Sequence, residues 1–138
     1  MTLGFITTLR TARAALIRAA LDAGPSAGYV EVYSDTRPAT GAAIGAAVLL
    51  STHTLTDPSG TETNGVLTFA AIANGTGTAG AGAGGTNATW CRFKDSTGAF
   101  VADGSVGLSG ADLNLNSILI ATGQTVQITS GVITEGNA

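Results

Sequence analysis

The stretch TWCRFKDSTGAFVADGSVG, Thr89 to Gly107, decides how this chain is read. It holds the single Trp and the single Cys, side by side, with Arg92, Lys94 and Asp95 close behind. Read for reactivity, it is a cluster of chemically competent groups. Read for period, it is a β-hairpin. Asp95-Ser96-Thr97-Gly98 has the composition of a four-residue hairpin loop with Gly last. Pairing across that loop sets Lys94 opposite Ala99, Phe93 opposite Phe100 and Cys91 opposite Ala102. Alternation then places Cys91, Phe93, Phe100 and Ala102 on one apolar face, which makes Cys91 a small buried hydrophobe. Trp90, Arg92, Lys94, Val101 and Asp103 fall on the other. Trp beside Arg is frequent among interface anchors. The cover over Trp90 is the chain's own helix or terminus, a neighbouring molecule, or solvent.

Period two extends in both directions from this hairpin. In YVEVYS, Val30 and Val32 share one side, and Tyr29, Glu31 and Tyr33 the other. AAVLLSTHTL (46–55) is a longer strand ended by the turn Asp57-Pro58-Ser59-Gly60. GVLTFAAI, AFVADGSV, ADLNLNS, ILIA and TVQITSGVIT continue the pattern. Seven or eight short strands with turns between them, and no β-α-β alternation, indicate an all-β sandwich or barrel. The 138 residues suit one domain (1–138). Residues 8–23, TLRTARAALIRAALDA, form its one helix, and the sandwich occupies about 28–136. Thr8 is the expected N-cap. Leu9, Ala12, Leu16 and Ala20, widened by Ile17 and Leu21, are the expected packed stripe, and Gly24-Pro25 ends the helix. Arg13 projects near the middle of that stripe, either snorkelling from its edge or meeting a partner. Arg18 lies opposite.

Composition narrows the function. Charged residues are 11% of the chain, against about 25% in ordinary domains, so few charges resist association. Residues 1–40 carry Arg10, Arg13, Arg18 and Arg37 against three acids, and residues 41–138 carry Arg92 and Lys94 against six. The bulk is mildly acidic, so nucleic acid is not expected as a partner. AAVLL, the longest apolar run, is far below the roughly 20 residues that span a membrane. No secretory leader is expected, because Arg10, Arg13 and Arg18 break the apolar N-terminal stretch.

Catalytic and ligand-binding motifs fare poorly. NGTGTAGAGAGGTN (74–87) matches G-x-G-x-x-G formally, but no helix follows to receive a pyrophosphate. It reads as a mobile loop, open to a contact role. His53, the only histidine, has no second His or Cys at ligand spacing. No G-x-S-x-G elbow exists. DLNLN (112–116) lacks the calcium-loop spacing and alternates as a strand, with Leu113 and Leu115 inward. No catalytic residue, metal or cofactor is therefore assigned.

Three phrases, VYSDTRP, TWCRFKDSTG and DGSVGLSGADLNLNS followed by ATGQTVQITSGVITEGN, resemble a family of small structural proteins of tailed bacteriophages. That family includes capsid cement, or decoration, proteins. The resemblance implies a jelly-roll-like antiparallel sandwich with one N-terminal helix. It also implies a virion protein, made in the host cytoplasm, that binds the capsid exterior. There it would bridge neighbouring major capsid subunits as a homodimer. Residues available for protein contacts are Arg10, Arg13, Arg18, Tyr29, Tyr33, Arg37, Trp90, Arg92 and Lys94. A receptor- or glycan-binding head-fibre or tail module, and a head–tail connector, are the competing roles.

Overall fold

The computed structural model describes residues 4–136. One helix, α1 (Thr7–Leu21), precedes twelve strands. They are β1 (Tyr29–Tyr33), β2 (Leu49–Thr54), β3 (Gly60–Thr63), β4 (Val66–Phe69), β5 (Gly75–Thr76) and β6 (Thr86–Asn87), then β7 (Trp90–Lys94), β8 (Phe100–Gly107), β9 (Leu113–Leu115), β10 (Leu119–Ile120), β11 (Thr125–Val126) and β12 (Ile128–Thr134). Eight of them form one sheet in the order β2-β1-β7-β8-β9-β12-β4-β3. Two short ribbons, β10-β6 and β11-β5, lie beside it.

The sheet is curled. β4 and β7 stand four strand spacings apart, about 19 Å in a flat sheet. Yet Phe69 of β4 stacks on Phe93 of β7 with ring centroids 5.1 Å apart. The two ends of the sheet therefore face each other and enclose the core, to which Val30, Val32, Leu50, Leu67, Cys91, Leu113, Leu115 and Val126 contribute. Cys91, Leu113 and Leu115 point inward as their alternation requires.

The β7–β8 register differs from the expected one. The Asp95 carboxylate accepts from the Thr97 and Ala99 N–H groups at 2.8 and 2.9 Å and from the Thr97 hydroxyl at 2.7 Å. Ala99 is thereby drawn opposite Asp95, its carbonyl accepting from Asp95 N–H at 3.1 Å, and Gly98 takes the left-handed conformation that closes the turn (φ 88°). Lys94 then pairs with Phe100, Val101 becomes a bulge, and Phe93 pairs with Ala102, Arg92 with Asp103 and Cys91 with Gly104. Phe100 leaves the core face for the other one and is 40% exposed. Val101 packs on the core instead.

Pairing is not wholly antiparallel. β8 and β9 run parallel, Val106 beside Leu113, joined by only five residues. Such a short parallel return is held by side chains. The Asp112 carboxylate accepts from the N–H and hydroxyl of Ser105, each at 2.8 Å.

The Gly-rich segment is not a free loop. It contains β5, a 3-10 turn (Ala79–Ala81) and β6. It also runs along the outer edge of β2, where Ala73 and Thr78 N–H donate to the Thr54 and Leu50 carbonyls at 3.0 and 2.9 Å. An unpaired edge is thus covered. Glycine is required by proximity: a Cβ on Gly75 would lie 2.7 Å from the Thr52 carbonyl and 2.8 Å from the His53 ring.

The helix also departs from its expected bounds and face. It starts at Thr7 with Ile6 at the cap and no side-chain cap, and ends at Leu21. Of the expected stripe, Leu21 is fully buried and Ile17 partly, joined by Ala14, whereas Leu9, Ala12, Leu16 and Ala20 are exposed, Leu9 at 44% and Leu16 at 71%. Polar contacts fix that orientation. Arg10 donates twice to the Glu135 carbonyl (3.1 and 2.9 Å), and the Thr11 hydroxyl accepts Gly65 N–H (3.0 Å).

Candidate functional site

The face opposite the core on β1, β7 and β8 gathers five of the nine expected contact residues. The registers stack them in three rungs: Tyr29–Lys94–Phe100, Glu31–Arg92–Asp103 and Tyr33–Trp90–Ser105. Trp90 is buried. Tyr33 stacks on it (centroids 4.6 Å apart, 15° between planes) and its indole N–H donates to the Ser34 carbonyl at 3.0 Å. The cover over Trp90 is therefore Tyr33, Arg92 and the start of the β1–β2 loop (residues 34–48), not α1 and not an outside molecule.

Arg92 sits at the centre. Its guanidinium forks onto Asp103 at 2.7 and 2.9 Å, donates to the Ala42 carbonyl at 2.9 Å, and lies 5.3 Å from the Trp90 and 5.1 Å from the Phe100 ring centroids. Gly41 N–H donates to the same carboxylate at 3.1 Å. The pair thus ties the β1–β2 loop to the sheet. Burial would raise the Asp103 carboxyl. The Arg92 hydrogen bonds, the Gly41 N–H and the charges of Arg92 and Arg37 outweigh it, holding the carboxyl below the ordinary range. Its hydrogen bond to Asp103 makes Arg92 more firmly cationic.

The other candidates are also engaged. Lys94 pairs with Glu31 at 2.9 Å and lies 5.9 Å from the Tyr29 ring centroid, and the Tyr33 hydroxyl donates to Glu31 at 2.8 Å. On the helix, Arg13 pairs with Glu135 at 2.9 Å, and Arg18 with Glu62 and, at 3.2 Å, with Asp22. Arg10 is half-buried on Glu135. Arg37 stays exposed on the β1–β2 loop. The contact set therefore divides. Tyr33, Trp90 and Arg92 are internal and unavailable to a partner. Tyr29 and Lys94 are half-buried beside them, and the helix arginines tether α1.

One pair of catalytic type escaped the sequence reading. Ser51 and His53, two apart on β2, share a face, with the hydroxyl 2.9 Å from Nε2. Nδ1 lies 3.0 Å from the Ala73 carbonyl, which can only accept, so Nδ1 carries the proton and Nε2 accepts from Ser51. Both side chains are fully buried, and Gly75 closes over the ring. The third group is a carbonyl rather than a carboxylate, and no substrate reaches the hydroxyl. This is a satisfied core histidine.

Burial pushes the His53 pKa down, with its bond to Ala73 opposing. Between its ordinary value of about 6.5 and the lower folded value, the unfolded chain binds a proton that the folded one does not. Stability is thus expected to decline below about pH 6.5, by no more than about 1.4 kcal/mol per pH unit. A second decline starts near pH 4, as Asp103 and Asp95, both held low in the fold, are protonated. Thermal unfolding from pH 7.5 to 3 should show both phases. His53→Gln should remove only the first.

A cavity of about 100 Å³ is lined by Ala102, Asp103, Gly104, Asp112, Ile133 and Thr134, with Phe93. Ligand pockets start near 300 Å³, so it has room for a few waters. Among the described residues no three His, Cys, Asp or Glu side chains converge to hold a metal, and no helix is long and apolar enough to cross a membrane. The chain matches no protein family, no curated protein and no solved structure.

Proposed function

We propose that this chain is a non-enzymatic structural protein of a tailed-phage virion, a jelly-roll-like sandwich that binds the outer capsid surface and cements neighbouring major capsid subunits. The resemblance of its phrases to that family motivates the reading. The observation that carries it is the outward part of α1: Leu9 and Leu16, with Ile6 at the cap, point to solvent while Arg10 and Thr11 bond inward. Exposed apolar groups aligned on one element mark contact surfaces. Facing ends of one curled sheet, flanked by two ribbons, support the sandwich part of the reading. Many copies on a symmetric shell gain strength by avidity, so each contact can be small.

The test mixes the purified protein with expanded capsids lacking it. Saturable binding is expected at a stoichiometry set by capsid symmetry. Binding to glycans or host cells instead, or to a single vertex, would replace this reading with the receptor-module or connector role. Leu16→Asp should leave the unfolding free energy within about 0.5 kcal/mol of the parent, as for other exposed positions, while weakening shell binding at least tenfold.

A further inference from the structure

We propose that α1 is a strap that opens as a unit while the sheet beneath it stays folded, and that ionic strength sets how often it opens. This does not rest on the capsid reading. The helix has 15 residues, a length marginal in isolation. Its first turn has neither an acidic residue nor a side-chain cap. Only Ala14 and Leu21 are fully buried and Ile17 partly, while Leu9 and Leu16 stay largely in solvent.

Three charged pairs help to hold it, and all are partly wet. Side-chain exposures are 45 and 13% for Arg13–Glu135, 32 and 11% for Arg18–Asp22, and 32 and 16% for Arg18–Glu62. Such pairs weaken with salt. The remaining ties run to β-strand ends and turns: Arg10 to the Glu135 carbonyl, Gly65 N–H to Thr11, and Ser59 N–H to the Asp22 carboxylate at 2.9 Å. None is a rung of the sheet, so releasing them leaves the β-ladder and the Phe69–Phe93 stack intact. Release bares the surfaces of β3, β4 and β8 under the helix. It also frees a helix with one broad apolar face, on which the buried Leu21, Ile17 and Ala14 adjoin the exposed Leu16 and Leu9.

Hydrogen exchange read by mass spectrometry on the whole chain tests this at 20 and 500 mM NaCl. Amides of Ala14–Leu21 are expected to exchange at least tenfold faster than those of β1 and β7, at one common rate. High salt should speed them several-fold and leave β1 and β7 unchanged. Glu135→Gln, which removes only the Arg13 pair, should act in the same direction at low salt. Exchange of α1 in step with β1 and β7, a smooth gradient of protection towards Leu21 that marks simple fraying, or a rate indifferent to salt would each overturn the proposal. If Glu135→Gln does not fold, the salt series on the parent chain still decides.

Discussion

Asp103→Ala is expected to destabilise the fold by about 3–5 kcal/mol, the range for leaving one partner of a buried pair uncompensated. The carboxylate is 1% exposed and its Arg92 partner 8%. Removing it strands a guanidinium that stays charged at any ordinary pH and abandons the Gly41 N–H as well. Replacing both partners with apolar residues of similar volume, Arg92→Met with Asp103→Leu, should recover much of the loss, because it is the unpaired charge that costs. Urea denaturation followed by Trp90 fluorescence measures both variants, since the indole lies against Arg92. A single-variant loss below about 1 kcal/mol would mean that water reaches Arg92 and that the pair is an ordinary surface bridge.

Phe93→Ala is expected to cost about 3–5 kcal/mol. The ring is buried and stacks on Phe69 across the fold of the sheet, so its loss opens a cavity where the two ends of the sheet meet. Phe100→Ala should cost about 1 kcal/mol, as that ring is partly exposed and contributes chiefly its contact with the Arg92 guanidinium. The contrast measures the register directly: in the pairing expected from sequence the two rings face each other in the core and would cost alike.

Alternation made much of this legible. Val30, Val32, Cys91, Leu113 and Leu115 point where period two puts them. The one-helix, mostly-β composition also follows from the sequence pattern. What failed was set by hydrogen bonds that pattern does not carry. Asp95 capping Thr97 and Ala99 moved the register past the hairpin turn. The β3–β4 hairpin was legible and was missed: Asn64-Gly65, with φ of 53° and 80°, is the strongest short hairpin signal there is. On the helix only one flank of the expected stripe, Ile17 and Leu21, packs inward, while Leu9 and Leu16 face out. Contacts with Gly65, Glu62 and Glu135, far along the chain, decide this. At the candidate site, Trp90 and Arg92 are expected as partner contacts and lie instead inside the fold. Their companions Tyr33, Ser34 and Ala42 lie some fifty residues away, and that pairing exists only once β1 and β7 are side by side.

The tether between Arg10 and Glu135 spans 125 residues. During synthesis the helix leaves the ribosome 125 residues ahead of its Glu135 anchor. At 5–20 residues per second, the interval is on the order of ten seconds. Throughout it the nascent chain carries a cationic, apolar segment whose tether at Glu135 is still missing, even after β3 and β4 have supplied Glu62 and Gly65. β12 completes the sheet between β9 and β4 and, in the same step, brings Glu135 to that segment.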